Sequence, residues 1–156
     1  MKKMFLSLLA LGAVSSASAA TSIGGSIGSG GSLYLQRDVD AVSATPYSLD
    51  LDATNFNFNS LAVGGTVDYL RSATGGSLGG LNPYYGLGLG AGISLGNSNN
   101  NVRLYPHVLG GLSYNVAAPL SVFGELNAGP SITVGNSTAV YFGIGARIGV
   151  NYVIGN

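Results

Sequence analysis

The chain has 156 residues, 26 of them glycine and none cysteine, and six Lys/Arg offset six Asp/Glu to a formal charge of zero. Only 8% of residues are charged, against roughly 25% in an average soluble domain. That shortage excludes an ordinary charged, water-facing surface and the basic patch a nucleic-acid partner needs, and the missing cysteines exclude the disulfide framework on which small exported soluble domains often depend.

The first element is a leader. Lys2 and Lys3 precede an apolar run from Met4 to Val14, and Ser15 to Ala20 are all small. A positive start, an apolar stretch too short to span a bilayer and an Ala17-Ser18-Ala19 exit make a secretory signal, with cleavage expected after Ala19 or Ala20. A retained N-terminal anchor is the weaker alternative. The expected division is thus a signal over 1–19 and one domain over 20–156, since the remaining residues suffice for one domain and not two. Without Lys2 and Lys3, four arginines (37, 71, 103, 147) face Asp38, Asp40, Asp50, Asp52, Asp68 and Glu125, a net of −2.

Residues 22–35 give a weak strand signal, with Ile23, Ile27, Leu33 and Leu35 diluted by Gly and Ser. Residues 36–57 hold four of the six carboxylates and are expected to form a long polar loop, able to fold into a hairpin. Its Asp38/Asp40 and Asp50/Asp52 pairs lack the spacing and glycine of a known Ca²⁺ loop, so solvation is the stronger reading and no metal or other cofactor is expected.

From residue 57 onward the pattern is period two, the mark of strands whose two faces meet different surroundings. Over 57–70, Leu61, Val63, Val67 and Tyr69 alternate with Ser60, Thr66 and Asp68; a Gly-rich turn at 71–82 follows. From Tyr85 to Leu95 the odd positions are Tyr85, Leu87, Leu89, Ala91, Ile93 and Leu95, and the even ones Gly or Ser. Residues 96–101 (Gly-Asn-Ser-Asn-Asn-Asn) are turn chemistry. Over 102–114, Val102, Leu104, Val108, Leu112 and Tyr114 oppose Arg103, Tyr105, His107 and Ser113. Pro106, which has no N–H to donate, is expected to mark a bulge or the rim. A tight turn at Ala117-Ala118-Pro119 leads to 119–133, where Leu120, Val122, Leu126 and Ala128 oppose Ser121, Glu125, Asn127 and Thr133, with Phe123 out of place on the polar side. After Gly-Asn-Ser at 135–137, Val140, Phe142, Ile144, Ala146, Ile148, Val150 and Tyr152 alternate with Gly143, Gly145, Arg147, Gly149 and Asn151.

Six long strands follow, each longer than the ~9–11 residues a tilted strand needs to cross a bilayer. Such barrels close with an even number, commonly eight at the small end, which is reached if the 36–57 hairpin enters the wall. The fold class expected is all-β, an antiparallel up-and-down transmembrane barrel of eight strands.

Asn82-Pro83-Tyr84-Tyr85-Gly86-Leu87-Gly88-Leu89-Gly90-Ala91-Gly92 resembles the Pro-Tyr-x-Gly-x-Gly-x-Gly strand of small outer-membrane barrels of the opacity-protein and outer-membrane-protein-A-like kind. Tyr105 to Tyr114 and the closing Gly143 to Tyr152 echo it, so the resemblance spans roughly 57–154. It implies a structural barrel of the bacterial outer membrane, supporting envelope integrity or surface contact, with lipid and other envelope proteins as partners and no enzyme activity. Many members end on an aromatic residue; here the last aromatic is Tyr152.

In hydrocarbon every backbone polar group must pair within the protein, which a closed barrel achieves. Leu87, Leu89, Ile93, Phe142, Ile144 and Ile148 are therefore expected to face lipid, and the glycines a narrow lumen. Tyr69, Tyr85, Tyr114 and Tyr152 are expected at one rim as interfacial aromatics. A turn centred on Asn136 places Glu125 opposite Arg147, and one centred near Ala117 places Leu109 opposite Glu125 with His107 diagonal to it. The expected lumen cluster is Glu125, Arg147, His107 and Tyr141. Structural pairing is favoured over catalysis because an unpaired buried charge is costly, and a single His offers no metal site or triad of the usual kind. The lumen is expected to be largely plugged; a narrow channel or porin is the alternative, and a soluble secreted β-barrel binding an apolar ligand, with reversed polarity, is the third reading.

Overall fold

The period-two segments do form strands, and the strands close on themselves. The structure, a computed structural model, describes residues 20–28, 30–40, 43–52, 60–73, 79–96, 101–135 and 138–155; the leader expected over 1–19 lies outside them. Eight strands follow in order: β1 (Thr21–Ile27), β2 (Gly31–Asp40), β3 (Ser43–Asp52), β4 (Ser60–Ser72), β5 (Leu81–Gly96), β6 (Asn101–Ala117), β7 (Leu120–Val134) and β8 (Thr138–Gly155). Each pairs antiparallel with the one before it, and β1 pairs with β8 from Thr21↔Gly155 to Ile27↔Ile148, so the sheet is a closed barrel without edges.

Two expectations about the N-terminal third are corrected. Residues 22–35 are not one strand: the chain reverses at 28–30, where Gly28 N–H donates to the Gly30 carbonyl, and enters β2. The described part of the 36–57 segment is not a long loop either, and residues 41–42 and 53–57 of that expectation lie outside the described residues. Residues 36–40 continue β2, and 43–52 form β3, paired to β2 from Gly31↔Leu51 and to β4 from Asp52↔Ala62. The signal was in the sequence. Tyr47, Leu49 and Leu51 alternate with Ser48, Asp50 and Asp52, the same two-faced code written with carboxylates in place of glycines.

The two faces have opposite characters. Outward stand Ile144 (84% exposed), Phe142 (72%) and Leu126 (68%), whereas inward lie Asp68 (2%), Glu125 (4%) and Ser131, fully buried. Among the described residues Tyr34 and Leu109 are the buried hydrophobic side chains. Leu87, Leu89, Ile93 and Ile148 are likewise exposed on the outer face. A water-soluble barrel buries apolar side chains inside; this one turns them out.

Eight strands leave an interior only wide enough for side chains to fill, and the glycines decide which side chains fill it. Phe123, the residue that breaks the alternation of its strand, points inward; its ring meets Tyr34 edge-on, centroids 5.8 Å apart, and occupies the space beside Gly149 that a Cβ would need. Pro106 produces neither a bulge nor a rim position. It lies within β6, and the β6–β7 ladder is interrupted between Leu104↔Ile132 and Val108↔Ala128 with no change of register. That register sets Pro106 level with Pro130, so neither strand has an N–H to give at that rung.

Candidate functional site

The inward side chains at the middle of the barrel form one ionic layer, assembled from four strands. Glu125 of β7 stands directly opposite Arg147 of β8, with Nε 2.7 Å from Oε1. Arg147 then reaches across the lumen to β4, four strands away, where its Nη2 donates to Asp68 Oδ2 at 2.9 Å. The second carboxylate oxygen of Asp68 lies 3.2 Å from His107 Nε2 on β6, and His107 Nδ1 lies 3.0 Å from the Tyr105 carbonyl. The contacts to Glu125 Oε1 and to Asp68 Oδ1 are ion contacts rather than aligned hydrogen bonds, since neither those oxygens nor Arg147 Nε has a partner in hydrogen-bond geometry. Two acids thus share one arginine, and His107 lies against the second oxygen of Asp68.

Glycines create these meetings. Asp68 pairs with Gly88, and Gly88 with His107, along one row of the sheet; a Cβ on Gly88 would occupy the space where Asp68 Oδ1 and His107 Nε2 meet. The same device recurs one strand on. Tyr84 leans over Gly111, which faces Glu125 in the next strand, and its hydroxyl donates to Glu125 Oε2 at 3.2 Å. A third case is Tyr34, which passes over Gly24 to donate to the Val150 carbonyl at 2.9 Å and to contact Asn151. Because directly opposite residues are about 5 Å apart, a glycine in the middle of three lets long side chains two strands apart touch.

Against the sequence expectations, the structure brings Glu125, Arg147 and His107 into one layer but links them differently. The β6–β7 turn is centred on Ala118 and not Ala117, so Glu125 faces Gly111, Leu109 faces Asn127, and His107 approaches Asp68 and not Glu125. Tyr141 does not join them. It lies opposite Ser131, six residues along β8 from Arg147, or about 20 Å at 3.3 Å per residue, and is half exposed. Asp68 is the member that sequence reasoning missed. Its inward parity was legible, but its meeting with residues on β6 and β8 depends on curvature that no strand-by-strand reading contains.

Above the layer, toward the end of the barrel where β1 ends and β2 begins, the lumen opens into a cavity of about 260 Å³ lined by Ser26, Ser32, Thr66, Arg103, Tyr105 and Asn127 among others. Arg103 is held there by Nε–H donation to Ser131 Oγ at 2.8 Å, its guanidinium 5.5 Å from the Tyr105 ring centre. Tyr105 stacks on His107 with centroids 4.8 Å apart. Its hydroxyl donates to Asn127 Oδ1 at 3.0 Å. Among the described residues no group of three or more His, Cys, Asp or Glu is placed to hold a metal ion. The tyrosines expected at a rim (69, 85, 114, 152) all lie on the outer face, between 45% and 53% exposed. Each is three or four residues from the end of its strand on the side where β1 begins and β8 ends.

The fold is that of small bacterial outer-membrane β-barrels. Over 87% of this chain and 96% of the other, it is similar to the crystal structure of the N-terminal β-barrel domain of Pseudomonas aeruginosa OprF, with a TM-score of 0.59 and 11% identity. Neisserial surface protein A, NspA, is similar over 87% of this chain and 94% of its own, at TM-score 0.55 and 16% identity. A major outer membrane protein from Thermus thermophilus is similar over 88% and 100%, at TM-score 0.53 and 12% identity. No family profile matches the chain, and no curated protein matches it in sequence.

Proposed function

We propose that this chain is exported by its leader and inserted as a non-enzymatic structural barrel of the bacterial outer membrane, with a lumen closed by its own side chains. The observation that carries the reading is the bridge from Arg147 to Asp68, because it joins opposite walls at the level where Glu125 and His107 also contact those two side chains. Lipid surrounds the outer face, and the four outward tyrosines serve as interfacial anchors with rings in the acyl boundary and hydroxyls in water. The end of the barrel away from those tyrosines meets the surroundings or other envelope proteins. Reversed polarity argues against a soluble carrier of apolar ligands, since Leu87, Leu89, Ile144 and Ile148 stand outside.

A narrow channel is the second reading, favoured by the cavity of about 260 Å³ that reaches down to the layer from one end. Conductance of the purified barrel in a planar bilayer decides between them. The closed-lumen reading expects a silent membrane; steady single-channel openings overturn it. Outer-membrane fractionation with heat-modifiable gel mobility tests the location, and extraction by salt alone overturns membrane insertion.

A further inference from the structure

A wall in lipid has to pair its backbone N–H and C=O groups within itself, and at the seam between β6 and β7 this fails on both strands at once. Pro106 and Pro130 stand level there, and the ladder makes no pairing between Leu104↔Ile132 and Val108↔Ala128, about 13 Å of seam at 3.3 Å per residue. The β3–β4 ladder skips a shorter stretch beside Pro46, between Ala44↔Leu70 and Tyr47↔Val67, but β4 has no proline there and keeps its donors. The β6–β7 seam is nevertheless shut. Gly129 and Ser131 are buried, and the Pro106 carbonyl oxygen lies where a Cβ of Gly129 would be.

Two side-chain hydrogen bonds on the lumen side hold the seam where backbone bonds are missing. Arg103 Nε–H donates across it to Ser131 Oγ at 2.8 Å. The Tyr105 hydroxyl crosses it to Asn127 Oδ1 at 3.0 Å and lies 3.4 Å from the Gly143 carbonyl of β8. Arg103, Tyr105 and Asn127 all line the cavity, so both bonds are reached from inside it. Outside, the seam is apolar: Leu104, Val108 and Pro130 are exposed, and Phe142 stands opposite Pro130. A ladder bond is fixed by the backbone, whereas a side-chain bond can be exchanged for one to an entering polar group at little net cost.

We propose that the β6–β7 seam is a lateral gate through which the luminal cavity exchanges a small amphipathic molecule with the surrounding bilayer, latched by the Arg103–Ser131 and Tyr105–Asn127 bonds. The polar group of that molecule competes for the latch on the lumen side, and its apolar body suits the hydrocarbon on the other. Such a route leaves the ionic layer in place and gives a lumen barred along its axis an outlet through the wall. The inference rests on the membrane reading above.

The chain has no tryptophan, so Ser94→Trp, at a position lining the cavity, supplies a single fluorophore. The full mature barrel carrying it is inserted into phosphatidylcholine vesicles, checked by heat-modifiable mobility, and exposed to 8-bromo-1-octanol, an amphipathic quencher that partitions into the bilayer. Quenching is expected, and it should fall about fivefold when Pro106→Val and Pro130→Val together return both N–H donors to the seam. Ser131→Ala, which releases one latch, should raise it. Hydrogen exchange of the unaltered barrel is the second measurement, with the amides of Leu104, Val108, Ala128 and Ile132 expected to exchange faster than those of the continuous β5–β6 pairing. Equal quenching with and without the two valines means that the probe enters by the cavity mouth and overturns the gate, as do seam amides that exchange no faster than those of β5–β6. If the wild type does not insert into vesicles at all, the membrane reading itself is what fails.

Discussion

Arg147 and Asp68 sit on strands four apart in an eight-stranded ring, on opposite walls, yet Nη2 and Oδ2 are 2.9 Å apart. The same guanidinium touches Glu125 on the adjoining strand through Nε. One side chain therefore ties a lateral pair into a brace across the diameter, and every polar member of the layer depends on it.

Replacing Arg147 with methionine leaves Asp68 and Glu125 buried without their shared cation. Breaking a buried pair in this way costs about 3–5 kcal/mol, read as a lowered urea midpoint for unfolding from vesicles. Glu125→Ala combined with Arg147→Ala should cost less than the sum of the single changes, because the two are coupled. Strictly additive losses would show that the contact contributes nothing.

Asp68 accepts from Arg147 at one oxygen and has His107 3.2 Å from the other, so Asp68→Ala should disturb the layer more than His107→Phe, which removes one contact and leaves the Arg147 brace in place. The accompanying change is in conduction. Asp68→Ala with Arg147→Ala removes the bar across the lumen, and ion flux through the double variant in a planar bilayer should exceed that of the wild type; an equally silent double variant would place the closure elsewhere.

Gly88 and Gly92 lie on the same face of β5, yet alanine should act differently at the two. At Gly88 a Cβ enters the space shared by Asp68 and His107, whereas at Gly92 its nearest neighbour is the Val63 carbonyl oxygen at 3.4 Å. Overpacking of this kind costs about 1–3 kcal/mol, so Gly88→Ala should lower the unfolding midpoint clearly and Gly92→Ala little.

Ile144, 84% exposed within β8, tests the outer face. Arginine there should destabilise the inserted barrel by about 2–4 kcal/mol, and the same change at Tyr152, near the strand end, by about 1 or less. Equal effects at the two positions, in a vesicle unfolding assay, would contradict a hydrocarbon layer of finite thickness around the wall.

Tyr84→Phe removes a single donor to Glu125 Oε2 without changing the ring that covers Gly111. A hydrogen bond to a charged acceptor is worth about 1.5–3 kcal/mol, and a loss in that range is expected at equilibrium; no loss would mean that solvent replaces the hydroxyl.

Alternation alone determined that the chain makes strands, that Leu87, Ile144 and their neighbours share one face, and that Glu125 meets Arg147, because side-chain direction in a strand has period two and a tight turn fixes the register of its own hairpin. It also contained β3, whose acid-for-glycine alternation was legible in Tyr47 to Asp52 but passed for a polar loop. What only the closed structure decided is which inward residues from distant strands share a level. Closure brought Asp68 to Arg147 across the lumen, a turn centred one residue later moved His107 from Glu125 to Asp68, and Tyr141 was left about 20 Å up the strand. Those distances depend on how far each strand is staggered around the ring, a sum over all eight pairings that no single hairpin encodes.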